Sequence, residues 1–544
     1  MTDRRNTKTV CAAGILVAVF FISGCGKPTN ISQEPSKPAP KIDTGATIGS
    51  LAEVFSSELI PVEGYGLVGG LSGTGSAECP APIREYLKRY VLQQLGDDKV
   101  KMDELISSLD TAVVLVQGVM PTSGQKNQFF DLMVTALPGT QTTSLEGGWL
   151  YGTELKAVGG FRIAVKALAA AKGPVFIDTL SPGEIDKKTG YILGGGTVLS
   201  EYNINLGLRQ PDYKNASLIT NKLNGRFGNG TARAVSPSQI ELKVPAAYKK
   251  QKQRFVSIVK AIYLTETPEA TKERINTFVR KLAASEDKYS SEIALEALGK
   301  ESISKVSALL NSSEERVRLG AARCLLNLGN DDGLNALRKI ASDKDSAYRI
   351  EALEAITTSA SRNDAIAISR NLLRDSDFNI RLAAYENLRK LDDIAVSQKL
   401  IARSFYLERI AQTEYKGIFV SRSGQPRIVL FGASIYCDDN IFVQSADGSI
   451  TINAPPGEKY VSIIRKHPKR PSVMVQLKSS FELGDIIQTL CEEPLKKTEE
   501  GHRGLNVSYA EAIALLKQMC DKGAIEAEFI AGSLPKTDLN IKRK

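Results

Sequence analysis

The apolar positions of this chain change period several times. An unbroken apolar run at residues 10–22 follows Arg4, Arg5 and Lys8. It falls short of the roughly 20 residues that a spanning helix needs and has the layout of a secretory signal. Residues 26–44 are rich in Pro, Ser and Lys, a composition that builds no core and predicts an extended tether. Between Glu63 and Gly75, glycines are interleaved with Tyr65, Leu67, Val68 and Leu71. That density predicts positive dihedrals or backbones in close approach. Ile83, Tyr86, Leu87, Tyr90, Val91 and Leu95 then form one face of a helix opened by Pro82. Residues 111–119 are β-rich, and in 129–137 Phe130, Leu132, Val134 and Ala136 alternate to one side. The turn residues of 121–124 between them predict a hairpin or adjacent strands. Strands are also expected at 191–199 and 202–208, after which Asp212 is placed to cap a helix carrying Ala216, Ile219, Leu223 and Phe227.

In the middle of the chain the period lengthens. Segments 318–325, 349–356 and 381–388 superpose at spacings of 31 and 32 residues, each with an alanine three after its arginine and an aliphatic residue seven after. Second helices at 333–340 and 365–373 make two-helix units, which stack into a solenoid resembling HEAT-like repeats. A looser unit at 291–310 suits a capping repeat. Asp345-Ser346 and Asp375-Ser376 are placed as N-caps. The ladder arginines Arg318, Arg349 and Arg381 could read an acidic partner or pair inside the repeats with carboxylates such as Glu315. Strands return at 418–432 and 440–452, the latter turning at Asp447-Gly448. A last helix has Ser508 and Glu511 in capping-box positions and Gly523 as its stop.

Composition narrows the chemistry. Of 544 residues 42% are hydrophobic, and with no second long apolar run the chain is not an integral membrane protein. Its length suggests three or four domains. The formal charge of +9 is modest for this size and points to solubility, with no nucleic-acid partner. Cys11 lies in the signal and Cys25 just after it, leaving Cys79, Cys324, Cys437, Cys491 and Cys520. An odd number leaves at least one thiol free even where disulfides form, and Cys324 reads as a buried small hydrophobe. No C-x-x-C occurs and the histidines are His467 and His502, so neither a metal site nor a cofactor is expected. Gly64, Gly66 and Gly69 spell a G-x-G-x-x-G, but more glycines follow where a helix should open, and Arg89 stands where an acidic residue is required. A dinucleotide site is excluded. Asp131, Asp178, Glu184 and Asp186 show no pairing and read as solvated, which leaves no catalytic constellation. Arg226 and Arg233 could meet an anion, pack along the sheet or bridge to a neighbouring subunit. The basic cluster at 465–470 reads as a solvated loop or a contact to peptidoglycan or anionic headgroups.

Several segments carry a family resemblance. GYGLVGGLSGTG at 64–75, led by IGSLAEV at 48–54, resembles the opening of the flagellar P-ring protein family. LEGGWLYGTEL at 145–155, NGRFG at 224–228, GTARAV at 230–235 and IELKVP at 240–245 follow in that family's order. Segments 418–432, 440–452 and 505–528 are similar to its later part, whereas the repeats depart from its pattern. Ile22-Ser-Gly-Cys25 looks like a lipobox with Cys25 as the lipidated residue, the alternative being an ordinary signal with a chance cysteine. Gly26, by resemblance to known lipoproteins, favours the outer membrane. The resemblance implies an α+β fold, a mixed β-rich ring-forming body split by an inserted all-α HEAT-like solenoid. The expected divisions are a lipoprotein signal (1–25), a tether (26–46), a P-ring-like part (47–268), the solenoid (269–412) and a second P-ring-like part (413–544). It further implies a closed homo-oligomeric ring that acts as a bushing around the rod in the periplasm. The implied partners are flagellar rod and L-ring proteins, peptidoglycan and a P-ring assembly chaperone, with an unknown protein at the repeats. Gly64, Gly66, Gly69, Gly70, Gly73 and Gly75 become candidate subunit-packing glycines. The alternative is a non-flagellar envelope scaffold reusing this fold.

Overall fold

The glycine block is divided between a strand and a turn. Ile60–Gly69 is a ten-residue strand, after which Gly70 and Gly73 turn the chain at φ +81° and +79°, where a side chain would be strained. The computed structural model describes residues 45–536 apart from 56–58, 96–101, 122–124, 159–165, 200–203, 433, 468–469 and 495–503. The expected secretory signal, Cys25 and most of the tether lie outside the described residues, as does His502.

Ile60–Gly69 begins a closed six-stranded antiparallel barrel. It pairs with Thr111–Met120, which pairs with Phe129–Ala136, the two strands expected to be neighbours. Thr189–Val198, Ala169–Pro174 and Trp149–Ala157 continue the circuit, and the last closes on Ile60–Gly69. Val62, Val116, Leu132, Val134, Leu155 and Ile192 fill one fully buried cluster, as the period of two along each strand requires.

Beside the barrel, Ala52–Phe55, Ile204–Leu208, Gln239–Leu242 and Ala232–Ser236 form an antiparallel sheet in that order. Helices Tyr213–Phe227 and Lys252–Ala261 pack on it through Ile219, Leu223, Phe255 and Ile258. Asp212 caps the first as expected, accepting from the Lys214 and Asn215 N–H groups.

The repeat helices run from Pro268–Ala284 to Phe378–Lys390. Two expectations need correcting here. Arg349–Ser359 starts at Tyr348 without a side-chain cap, and Phe378–Lys390 is capped by Asp377, not by Asp375 or Ser376. Asp375 lies two residues further out, where it accepts from the Asp377 N–H at 2.9 Å and meets Arg349. The all-α stretch also stops short of residue 412. After Lys390 the chain forms Ser397–Ile401 and Phe405–Ile410, which open the sheet completed by Arg427–Phe431, Gly417–Val420 and Glu528–Ala531.

A second sheet follows in the return, with Ile441–Gln444, Ile450–Ala454, Val461–His467 and Arg470–Ser479 in sequential antiparallel order. Of the basic cluster at 465–470, Arg465 lies on Val461–His467 and donates to the Leu505 and Asn506 carbonyls, Arg470 opens the next strand, and residues 468–469 lie outside the described residues. Tyr509–Asp521 carries the expected Ser508–Glu511 capping box. All five remaining cysteines are free thiols, with Cys324, Cys437 and Cys491 buried. No helix among the described residues is long and apolar enough to cross a membrane.

Candidate functional site

The seam that closes the barrel accounts for most of the glycine run. A Cβ on Gly64 would lie 2.3 Å from the Glu154 carbonyl oxygen, and one on Gly66 2.6 Å from Thr153 Oγ1. At Gly69 it would meet the Tyr151 ring at 2.7 Å, and at Gly75 the Thr111 carbonyl oxygen at 2.0 Å. These four lack side chains because the chain packs on itself there. Of the six candidates for packing between subunits, Gly73 fronts open space and Gly70 would meet only the Gly147 carbonyl oxygen, at 4.0 Å.

The barrel is also locked to the return. The Asp131 carboxylate, on Phe129–Ala136, accepts from the Gly194 N–H at 2.7 Å and the Gly424 N–H at 2.8 Å. Burial pushes its carboxyl above the usual range, and the two N–H donors pull the other way. Arg422 donates to Asp178 at 3.2 Å, to Ser181 Oγ at 2.9 Å and to the Gly532 carbonyl at 2.6 Å. Asp131 and Asp178, read from sequence as solvated, thus join segments 293 and 244 residues apart. Asp131→Ala strands two amides at a part-buried junction and is expected to cost about 1–3 kcal/mol. Faster hydrogen exchange at Gly194 and Gly424 than in the wild type checks it.

Both ends of the repeat block are bolted by buried ions. At the near end Arg254, on Lys252–Ala261, reaches Glu292 at 2.6 Å and Glu296 at 2.9 Å. Arg323 holds Glu292 in a fork at 2.7 and 2.6 Å, while Asn327 and the Tyr248 hydroxyl donate to Glu296. At the far end Glu408 accepts from Tyr385 and from Arg389, and Arg427 pairs with Glu386. Glu292 is 1% exposed, and Glu296 and Glu408 are 0%. Sequence reading passed over this cluster. The available signal was Glu292 and Glu296, one turn apart within Ile293, Ala294, Leu295 and Ala297, because carboxylates on an apolar stretch need partners.

The ladder arginines belong to the same internal framework. Arg318 donates to the Ser312 and Ser313 carbonyls at 2.8 and 2.9 Å. Arg349 is buried against the Ala341 carbonyl and Asp375, and Arg381 donates to the Asp375 and Ser376 carbonyls at 2.8 Å. Their offering of a face to an acidic partner is corrected for Arg349 and Arg381, which are 6% and 2% exposed. Repeated loops with unsatisfied carbonyls explain the repeated arginine. Arg233 pairs with Glu241, and Arg226 donates to the Glu296 carbonyl. Among the described residues no group of three His, Cys, Asp or Glu could hold a metal.

Residues 47–281, which hold the barrel, the neighbouring sheet and most of the first repeat helix, match the sequence model of a family described as Flagellar P-ring protein. This part of the chain is similar to that family. A curated P-ring protein of Anaeromyxobacter dehalogenans is 31% identical over 232 residues, 40% of this chain and 60% of the relative. Those of Thermotoga maritima and Hydrogenovibrio crunogenus are 31% and 28% identical, covering 37% and 42% of this chain and 61% and 63% of the relatives. The chain therefore spans about 60% of the length of the curated P-ring relatives it matches. Residues 275–357 match HEAT repeats, the class expected from the 31-residue spacing. The P-ring match ends at residue 281, so the resemblance read in 418–432, 440–452 and 505–528 lies beyond it. Of these, 418–432 is tied to the matched part by Gly424 on Asp131 and Arg422 on Asp178.

Proposed function

We propose that this chain is a structural subunit of a flagellar P-ring, a periplasmic bushing around the rod at the peptidoglycan layer. The observation that carries the reading is that the P-ring match coincides with the closed barrel and its adjoining sheet. A bushing requires heterologous subunit contacts that close into a ring, and a stiff body with no catalysis. The seam glycines, the Asp131 junction and the two ionic bolts supply stiffness. Rod proteins, L-ring proteins, peptidoglycan and an assembly chaperone are the partners that follow from this role. A lipid on Cys25 would hold the subunit to the outer membrane, and Gly70 and Gly73 would lie open to a neighbouring copy. The repeat block, braced at both ends, serves as a rigid mount for a further protein. One observation favours a second reading, an envelope scaffold unconnected with motility: the HEAT repeats, which depart from the P-ring pattern.

Purified hook–basal bodies decide between these readings. Stoichiometric recovery of the chain, with added density around the rod at the P-ring level, is the expected result. Its absence from intact basal bodies would overturn the flagellar role. In the same cells, Cys25→Ser should shift the free subunit from the membrane to the soluble fraction.

A further inference from the structure

The return sheet has two unlike edges. Residues 435–454, which carry Ile441–Gln444 and Ile450–Ala454, contain Asp438, Asp439 and Asp447 and no Lys or Arg. The other two strands, Val461–His467 and Arg470–Ser479, contain Arg465, Lys466, Arg470 and Lys478 and no Asp or Glu. The sheet is thus acidic along one side and basic along the other. Ile441–Gln444 and Arg470–Ser479 are its outer strands.

Both edges leave large apolar side chains in water. Phe442 is 58% exposed on the acidic edge, and Val473, Met474 and Val475 are 45%, 63% and 42% exposed on the basic one. An apolar edge strand is a template for another strand, and soluble proteins blunt such edges unless they are used. On the acidic edge, Lys522 Nζ donates to the Phe442 carbonyl at 2.8 Å, a flexible side chain standing where a neighbouring strand's N–H would donate.

We propose that this sheet continues from one copy of the chain to the next, with Arg470–Ser479 of one copy pairing antiparallel with Ile441–Gln444 of its neighbour. Successive strands of the sheet are antiparallel throughout, so its last and first strands have the polarity needed to continue it. Faces must also match. Val443, Ile452, Ile463 and Leu477 lie in one row across the sheet, so Val475 and Val473 share the core-facing side and Met474 and Lys478 the outer one. One face-preserving register sets Val475 opposite Ile441, Met474 opposite Phe442 and Val473 opposite Val443. Beyond the start of Ile441–Gln444, where the chain bends at Asp439, that register carries Lys478 towards the acidic end at Asp438, while Lys478 Nζ now rests over the Tyr460 ring at 3.8 Å. Apolar residues meet apolar ones, and a base nears an acid. The contact uses two different surfaces, so each copy keeps a free edge of each kind and the series continues until it closes. This names the joint of the ring proposed above and rests on that reading for closure.

Disulfide trapping in the purified full chain tests it. Phe442→Cys with Met474→Cys should give a ladder of linked oligomers on mild oxidation, which the wild type and either single variant do not give. Met474→Asp should weaken self-association in sedimentation by about tenfold or more. Lys478→Asp should weaken it too, with recovery on adding Asp438→Lys. Association that is unchanged by Met474→Asp, with no ladder, overturns this joint and leaves the ring standing. A chain that stays monomeric overturns both. A monomer that binds phosphatidylglycerol vesicles through Met474 assigns the edge to a lipid surface and overturns the joint.

Discussion

Arg254→Met is expected to destabilise the protein by about 3–5 kcal/mol, the largest effect of any single change in the ionic framework. Arg254 is 7% exposed and shared by two carboxylates that are buried more deeply still. With it gone, Glu292 keeps the Arg323 fork, but Glu296 is left to Asn327 and Tyr248, neither of which carries a compensating charge. Removing one partner of a buried ionic group costs more than the group contributes, because the other charge stays out of water. Chemical denaturation of the two proteins measures the loss. Adding Glu292→Gln and Glu296→Gln to Arg254→Met should recover much of it, since a neutral cluster has no stranded charge. A triple variant no better than the single one would mean that the arginine matters for its bulk.

The same cluster sets a pH signature. Burial pushes the Glu292 carboxyl up, but Arg254 and Arg323 outweigh it and hold the group below its ordinary value of 4.5. A depressed carboxylate stabilises the fold fully above the unfolded value, and that stabilisation is lost as pH falls through the folded one. Glu296 is shifted the other way, its carboxyl raised above 4.5 by burial, so the stability gap between wild type and Arg254→Met should begin to narrow above that value as Glu296 takes up a proton and go on narrowing as Glu292 follows at lower pH.

Gly64→Val is the second large effect expected, about 3 kcal/mol, at the top of the range for overpacking. The added Cβ would sit 2.3 Å from a main-chain oxygen of the opposite strand, which cannot rotate away as a side chain could. The seam is pinned on both sides of this point, with Glu63 opposite Lys156 and Gly69 opposite Trp149, so relief requires strand separation. Gly73→Ala is the matched comparison. It has φ +79° and open space, and should cost about 1 kcal/mol through backbone strain alone. Thermal unfolding of the two variants separates the mechanisms. Equal losses would show that the seam yields more readily than its geometry implies.

What could be read beforehand was local. The Asp212 cap, the Ser508–Glu511 box, the strand pair at 111–137 and the 31-residue helical period all depend on residues close in sequence, and each is present. Closure was not legible. Nothing in 60–69 says that its second partner is 149–157, since both read as ordinary strands. The Asp131 junction was hidden for the same reason, its donor being a backbone amide with no identity of its own. The strands Ser397–Ile401 and Phe405–Ile410 were not legible either, since an alternation as short as that of Phe405 and Leu407 does not stand out beside the helical period before it.

The span between Asp131 and Gly424 sets a waiting time. At about 5–20 residues per second, the 293 residues between them take roughly 15–60 s to synthesise. For the later part of that interval, once Thr189–Val198 has been made, the barrel strands already exist while Arg422 and Gly424, which cover Asp178 and Asp131 from the return, do not. A nascent chain in this condition offers an unsealed flank to other chains, and early termination within the repeats would make the condition permanent. Truncated products should accumulate as aggregates or protease fragments rather than as a smaller working unit.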